Sequence, residues 1–204
     1  MNISADIRKA KCYKLNAVGL YRGATLMLVF LLYWAEVEAA AEPVVWTDTV
    51  GVSVSGNTIT KTAGNAWNAG AASTQSISAD GYVEHTAKMI DKARFIGLST
   101  TNASVAFTTI HYGLITAANG DVSVYESGTL RGTFGAYAIN DVLRVERVGT
   151  TVYYKKNGAI LYTSAVPSSG SLILDASLYH TAGSLFGVMI ETGGPLKGAI
   201  IVVE

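Results

Sequence analysis

Five residues close together in the chain, Arg144, Glu146, Tyr153, Lys155 and Tyr162, are of the side-chain types that recognise carbohydrate. Aromatic faces stack on the C–H faces of sugars, and charged groups offer donors and acceptors to hydroxyls. The competing reading is a solvated sheet exterior, in which a cross-strand tyrosine pair contributes about 0.2–1 kcal/mol. Other chemistry finds less support. His85, His111 and His180 lie far apart, and no His-Glu-x-x-His, Gly-x-Ser-x-Gly or phosphate-loop pattern occurs. No catalytic residue is therefore predicted, and no enzyme is expected. Asp80, Asp121, Asp141 and Asp175 stand where strands are expected to begin or end. Calcium takes about six to eight oxygen ligands, and no dense acidic loop supplies them. The aspartates are expected to hold turns through side-chain hydrogen bonds, so calcium is conceivable but not indicated, and no cofactor is expected.

Two turns must position the five residues. Asn157-Gly158 favours a two-residue type I′ hairpin. That turn pairs Lys156 with Ala159, Lys155 with Ile160, Tyr154 with Leu161 and Tyr153 with Tyr162. Gly149-Thr150 supplies a second turn, which sets Arg147 opposite Val152, Glu146 opposite Tyr153, Val145 opposite Tyr154 and Arg144 opposite Lys155. Both turns give the same two faces. Leu143, Val145, Val152, Tyr154 and Leu161 form a buried one. Arg144, Glu146, Tyr153, Lys155, Ile160 and Tyr162 form a polar one. A slip of one residue would mix the sets. Arg147 falls on the buried face near a strand end, where its head is expected to reach water.

The 204 residues are 50% hydrophobic and 15% charged, which excludes a disordered chain and suits one domain with a sizeable core. From Val44 onward, short runs of Val, Thr, Ile and Tyr alternate with Gly, Asn, Asp or Ser. This spacing predicts an all-β sandwich or barrel. Strands are expected near 44–47, 51–54, 58–62, 70–76, 81–87, 94–100, 106–115, 121–126, 129–134, 141–148, 151–156, 159–164, 171–179 and 185–191. A last strand is expected at 198–203. "HTAKMIDKARF" is the best helical candidate and is short for one.

The first residues differ from the rest. Arg8, Lys9, Lys11, Lys14 and Arg22 precede an apolar run, Gly23 to Ala35, and Ala39-Ala40-Ala41 follows. The order reads as a secretory signal peptide over residues 1–41. The apolar run is about half the ~20 residues that span a bilayer. A secreted, extracellular or cell-surface protein is expected, with no membrane association after cleavage. The lone cysteine, Cys12, would leave with the signal, so core packing rather than disulfides must stabilise the mature chain. The remainder is slightly acidic without a basic patch, and no nucleic-acid partner is expected. Residues 42–192 read as the sandwich and 193–204 as a tail, "GAIIVV" being either a closing strand or one donated to a neighbouring subunit.

"DGYVEHTA", "RFIGLS", "DVLRVERVGTTVYYKKNGAILYTS" and "DASLYHTAGSL" occur in that order. The set resembles modules of the concanavalin A-like lectin/glucanase group of secreted bacterial surface proteins, over roughly Val45 to Ile190. The resemblance implies a jelly-roll β-sandwich of two antiparallel sheets. Relatives in that group bind glycans, mediate adhesion or, in separate branches, cleave polysaccharides. The Glu-x-Asp-x-x-Glu strand motif of the cleaving branches is absent. Glu84, Glu126, Glu146 and Glu191 are followed two places on by Thr, Gly, Val and Gly, so no hydrolase residue carries over. The expectation is a non-catalytic carbohydrate-binding or adhesion module whose partner is a polysaccharide or cell-surface glycan. The alternative is a structural subunit that self-assembles into an extracellular fibre or surface layer by strand exchange.

Overall fold

Alternating β-branched and polar residues become strands throughout residues 40–193, the part of the chain that a computed structural model describes. In chain order the first are β1 (Glu42–Pro43), β2 (Trp46–Val50), β3 (Val52–Ser55), β4 (Thr58–Lys61) and β5 (Ala69–Ile77). Next come β6 (Gly81–Thr86), β7 (Arg94–Ser99), β8 (Tyr112–Thr116), β9 (Asp121–Glu126) and β10 (Thr129–Ala136). The last are β11 (Val142–Val148), β12 (Thr151–Lys156), β13 (Ala159–Thr163), β14 (Leu172–Leu178) and β15 (Ser184–Glu191).

They form two antiparallel sheets. Sheet I has the order β13-β12-β11-β6-β15-β4-β3, with β1 paired to β15. Sheet II has the order β10-β9-β8-β7-β14-β5-β2. The sheets face each other across one apolar core. Sheet I supplies Val83, Leu143, Val145, Val152, Tyr154 and Ile190, and sheet II supplies Ile96, Leu98, Leu114, Val124, Leu172 and Leu174. Each such side chain contributes about 1.5–3 kcal/mol when fully buried. The architecture is the expected jelly-roll sandwich.

Three expectations need correction. The strand expected over 106–115 is interrupted, because Phe107–Thr109 forms a 3-10 turn before β8. Thr109 Oγ1 donates to the Ala106 carbonyl (2.9 Å) and the Ala106 N–H to Ser104 Oγ (3.2 Å), side-chain bonds that compete with a ladder. The helical candidate is no helix: His85 ends in β6, Phe95 belongs to β7, and Ala87 exchanges backbone bonds with Asn140 and Asp141. Finally, Arg147 does not reach water. It is buried, and its guanidinium donates to the carbonyls of Ala79 (2.6 Å), Gly170 (2.6 Å) and Ile77 (2.9 Å). Three carbonyls replace the solvent that its charge requires. Residues 1–39 of the signal segment expected over 1–41, and the strand expected at 198–203, lie outside the described residues.

Candidate functional site

β11 and β12 pair as the Gly149-Thr150 turn predicts: Arg147 with Val152, Glu146 with Tyr153, Val145 with Tyr154 and Arg144 with Lys155. Gly149 holds φ 59°, the positive value that the first position of a type II′ turn requires. Asn157 and Gly158 hold φ 51° and 82°, as a type I′ turn requires, and Lys156 meets Ala159 and Lys155 meets Ile160.

Beyond Lys155 the hairpin departs from expectation. A bulge shifts the register, so Tyr154 opposes Tyr162 and Tyr153 opposes Thr163. A bulge places two residues opposite one and turns the following side chain to the other face. Tyr162 therefore leaves the polar face and joins Leu161 against the core. Its ring lies 5.8 Å from both Tyr154 and Phe134. The Tyr153–Tyr162 pair does not form, because burying an apolar ring between two others outweighs keeping the simple register.

The polar face keeps Arg144, Glu146, Tyr153 and Lys155 and gains residues from strands distant in sequence. β6 lies beside β11, with Tyr82 opposite Glu146 and Glu84 opposite Arg144. β15 lies beside β6, with Glu191 opposite Tyr82 and Met189 opposite Glu84. Two rows result. One reads Glu191, Tyr82, Glu146, Tyr153, and the other reads Met189, Glu84, Arg144, Lys155. Tyr82 and Tyr153 stand two strand spacings apart, about 10 Å, with Glu146 between them.

Charges tie the rows together. Arg144 Nη2 and Nε both donate to Glu84 Oε2, at 2.7 and 2.9 Å. Lys155 Nζ donates to Glu146 Oε2 at 2.7 Å, and Arg144 Nη1 stands 3.5 Å from that same oxygen. The guanidinium carbon lies 3.5 Å from the Tyr82 ring centroid, and Lys155 Nζ lies 5.7 Å from that of Tyr153. These side chains are 16–29% exposed, so their bonds are stronger than those of a fully solvated pair. Burial alone would lower the Arg144 guanidinium, but the hydrogen bond and charge of Glu84 outweigh it and hold it above its ordinary value. Burial raises the Tyr82 phenol, which therefore stays protonated and able to donate. Both carboxylates spend Oε2 within the network; among the described residues neither Oε1 has a protein hydrogen-bond partner.

Tyr82 and Glu84 were not among the site residues expected from sequence. Their signal is the alternation in "GYVEHT", which sets Tyr82, Glu84 and Thr86 on one face. Nothing local says that β6 lies beside β11.

The other sequence candidates divide. Asp80 accepts from the Gly149 N–H (2.7 Å), and Asp141 accepts from the Ala138 N–H (2.9 Å) and from Asn157 (2.8 Å), so both hold turns. Asp121 accepts from Asn119 at 2.8 Å in the turn before β9. Asp175 corrects the expectation: it lies within β14, buried, with Oδ2 lacking a protein partner. Burial pushes its carboxyl up to about 7. His85 is buried in the sandwich with neither ring nitrogen partnered, and burial lowers it to about 3. His180 Nδ1 accepts from the Ala93 N–H at 2.9 Å. Among the described residues no three of His, Cys, Asp and Glu gather as a metal-ligand set.

No protein-family model matches this chain, and no curated protein matches it in sequence. Solved structures do. The SPRY domain of human HERC1 is similar with a TM-score of 0.52 at 11% identity, over 78% of this chain and 100% of that one. The carbohydrate recognition domain of Emp47p matches with a TM-score of 0.48 at 12% identity, over 73% and 89%. Carbohydrate binding module CBM66 from Bacillus subtilis matches with a TM-score of 0.40 at 13% identity, over 72% and 94%. At such identities the likeness is one of architecture. The chain has the fold of the concanavalin A-like lectin/glucanase group, a jelly-roll sandwich of two antiparallel sheets.

Proposed function

We propose that this protein is a non-catalytic carbohydrate-binding module whose ligand lies across the outer face of sheet I. One observation carries the reading: Tyr82 and Tyr153 flank Glu146 in a row, beside a half-buried charge network with unused carboxylate oxygens. The Tyr153 ring and the stacked Arg144–Tyr82 pair, about two strand spacings apart, suit the length of a disaccharide. Glu84 Oε1, Glu146 Oε1 and the tyrosine hydroxyls face hydroxyl groups of either polarity. The ion pairs hold these groups in place before binding, which lowers the entropy cost of ordering them. Arg144, Glu146, Tyr153 and Lys155 act here together with Tyr82 and Glu84. Tyr162 supports the sheet from its core side. The resemblance to secreted lectin-like modules supports a partner among polysaccharides or cell-surface glycans, met outside the cell. A broad glycan array probed with wild-type protein and Tyr153→Ala tests the reading. Signal on some oligosaccharide, lost in the variant, is expected; an array without signal overturns it.

The edges of sheet I favour a second reading, self-assembly by strand exchange. β3 and β13 are edge strands, and Val54 and Ile160 on them are 47% and 56% exposed. Such edges can accept a further strand. Electron microscopy of the purified protein separates the readings: filaments support assembly, and dispersed monomers rule it out.

A further inference from the structure

A cavity lies away from the sheet I face, at the end of β8 and β9, and has a volume of about 370 Å³. This is at the small end for ligand pockets, which run from about 300 to 1,000 Å³. Its floor holds Glu126, which is 3% exposed. Both carboxylate oxygens are spoken for. Tyr154 reaches from the core to donate to Oε1 (3.1 Å), and Arg131 Nε donates to Oε2 (2.8 Å). Burial, and then the charge of Glu126, push the Tyr154 phenol well up, so it is the donor in that bond.

What faces the cavity is a set of donors. Arg131 spends only Nε on Glu126; among the described residues its terminal nitrogens have no protein partner. The Thr100 N–H donates to His111 Nδ1 at 3.1 Å, which leaves the proton of the neutral ring on Nε2. That N–H is also unpartnered among the described residues. Thr129 and Ser127 add hydroxyls. The other lining is apolar: Tyr112, Val166, Pro167 and Leu172. The apolar side is built rather than loose. The Tyr112 hydroxyl donates to the Pro167 carbonyl (2.9 Å), and the Ser168 N–H donates to the Thr150 carbonyl (2.7 Å).

Arg131 and Glu126 cancel in charge, so the site is rich in donors without being cationic. A neutral acceptor gains from such a site more than a second carboxylate does, because Glu126 already repels an anion at close range. The group that offers a strong neutral acceptor beside a small apolar end is a secondary amide with a methyl.

We infer that this cavity binds the acetamido group of an N-acetylated sugar, its carbonyl on Arg131 and His111 and its methyl against Val166, Pro167 and Leu172. The site is separate from the sheet face and stands whether or not that face binds glycan. Titration of the full chain with N-acetylglucosamine, glucose and glucuronate, followed by NMR or calorimetry, tests it. N-acetylglucosamine should bind about tenfold or more tighter than glucose, as expected for one or two hydrogen bonds to a charged donor plus a buried methyl. Arg131→Lys keeps a cation for Glu126 but loses the fork, and Val166→Asp spoils the apolar wall at a residue that is 41% exposed. Each should weaken N-acetylglucosamine about tenfold, with thermal unfolding little changed for Val166→Asp. Equal affinity for glucose, tightest binding of glucuronate, no binding of N-acetylglucosamine at millimolar concentration, or full affinity in both cavity variants would overturn the inference.

Discussion

The two sheets treat their outer faces in opposite ways. On sheet I the outer face is a half-exposed lattice of charges and tyrosines. On sheet II its central strands β7 and β14 are sealed. Every residue of β7 is buried on both faces. Phe95 lies on the bare backbone of Gly113, where any side chain would strike its ring. Phe107 packs on Phe95 at 5.6 Å, and Trp67 on Phe107 at 4.9 Å. Ser177 ties the cover down by donating to the Val105 carbonyl at 2.6 Å. Sheet II thus spends the middle of its second face on stability, and sheet I leaves its own uncovered. The difference comes from the loops: residues 62–68 and 100–111 carry the rings that cover one sheet, whereas no described segment brings aromatics over Tyr82 and Tyr153.

Substitutions can break this contrast. The largest effect is expected for Phe95→Ala, which empties the space between Gly113 and Phe107. A loss of about 3–5 kcal/mol should appear in chemical denaturation. Next comes pH dependence, because each sheet carries a buried group whose titration is displaced within the acid-to-neutral range. Asp175 lies under the cover of sheet II with its carboxyl raised from 3.8 to about 7. The folded state keeps this proton longer than the unfolded chain, so wild-type stability falls as pH climbs through that window. His85, behind sheet I, is lowered from 6.5 to about 3. The unfolded chain takes up this proton first, so stability falls as pH drops through that window. The slopes oppose each other where the windows overlap, and wild-type stability should be nearly flat there. Asp175→Asn should expose the His85 slope and His85→Leu the Asp175 slope, each up to about 1.4 kcal/mol per pH unit. Parallel profiles for all three proteins would contradict this.

Smaller effects belong to sheet I. Glu84→Gln removes the partner of Arg144 on a partly exposed face and should cost about 1 kcal/mol or less. Tyr153→Ala should shift stability by no more than about 0.5 kcal/mol, read from the thermal midpoint. A large loss in either would mean that the lattice is structural, as the cover of sheet II is.

The same contrast explains what was legible in sequence. Turn residues and alternation are local, so the β11–β12 register and the two faces of Arg144 to Tyr154 could be read from Gly149, Asn157 and Gly158. The Leu161 bulge could not, because it answers to Phe134, which lies on the opposite sheet. Tyr82 and Glu84 were invisible as site residues because the β6–β11 pairing is non-local. Arg147 read as a misfit because the carbonyls of Ala79 and Gly170 reach it only in the folded chain. The cover over sheet II was missed for the same reason. Phe107 looked like part of a strand, and its place over Phe95 depends on the turn that breaks that strand.

The central claim is that the open face of sheet I receives glycan between Tyr82 and Tyr153. Its most direct test is titration of an array-selected oligosaccharide into wild-type protein and a Tyr82→Ala/Tyr153→Ala variant, with unfolding monitored in parallel. The account predicts that binding is lost while the thermal midpoint stays within a few degrees. Undiminished binding in a folded double variant would contradict it.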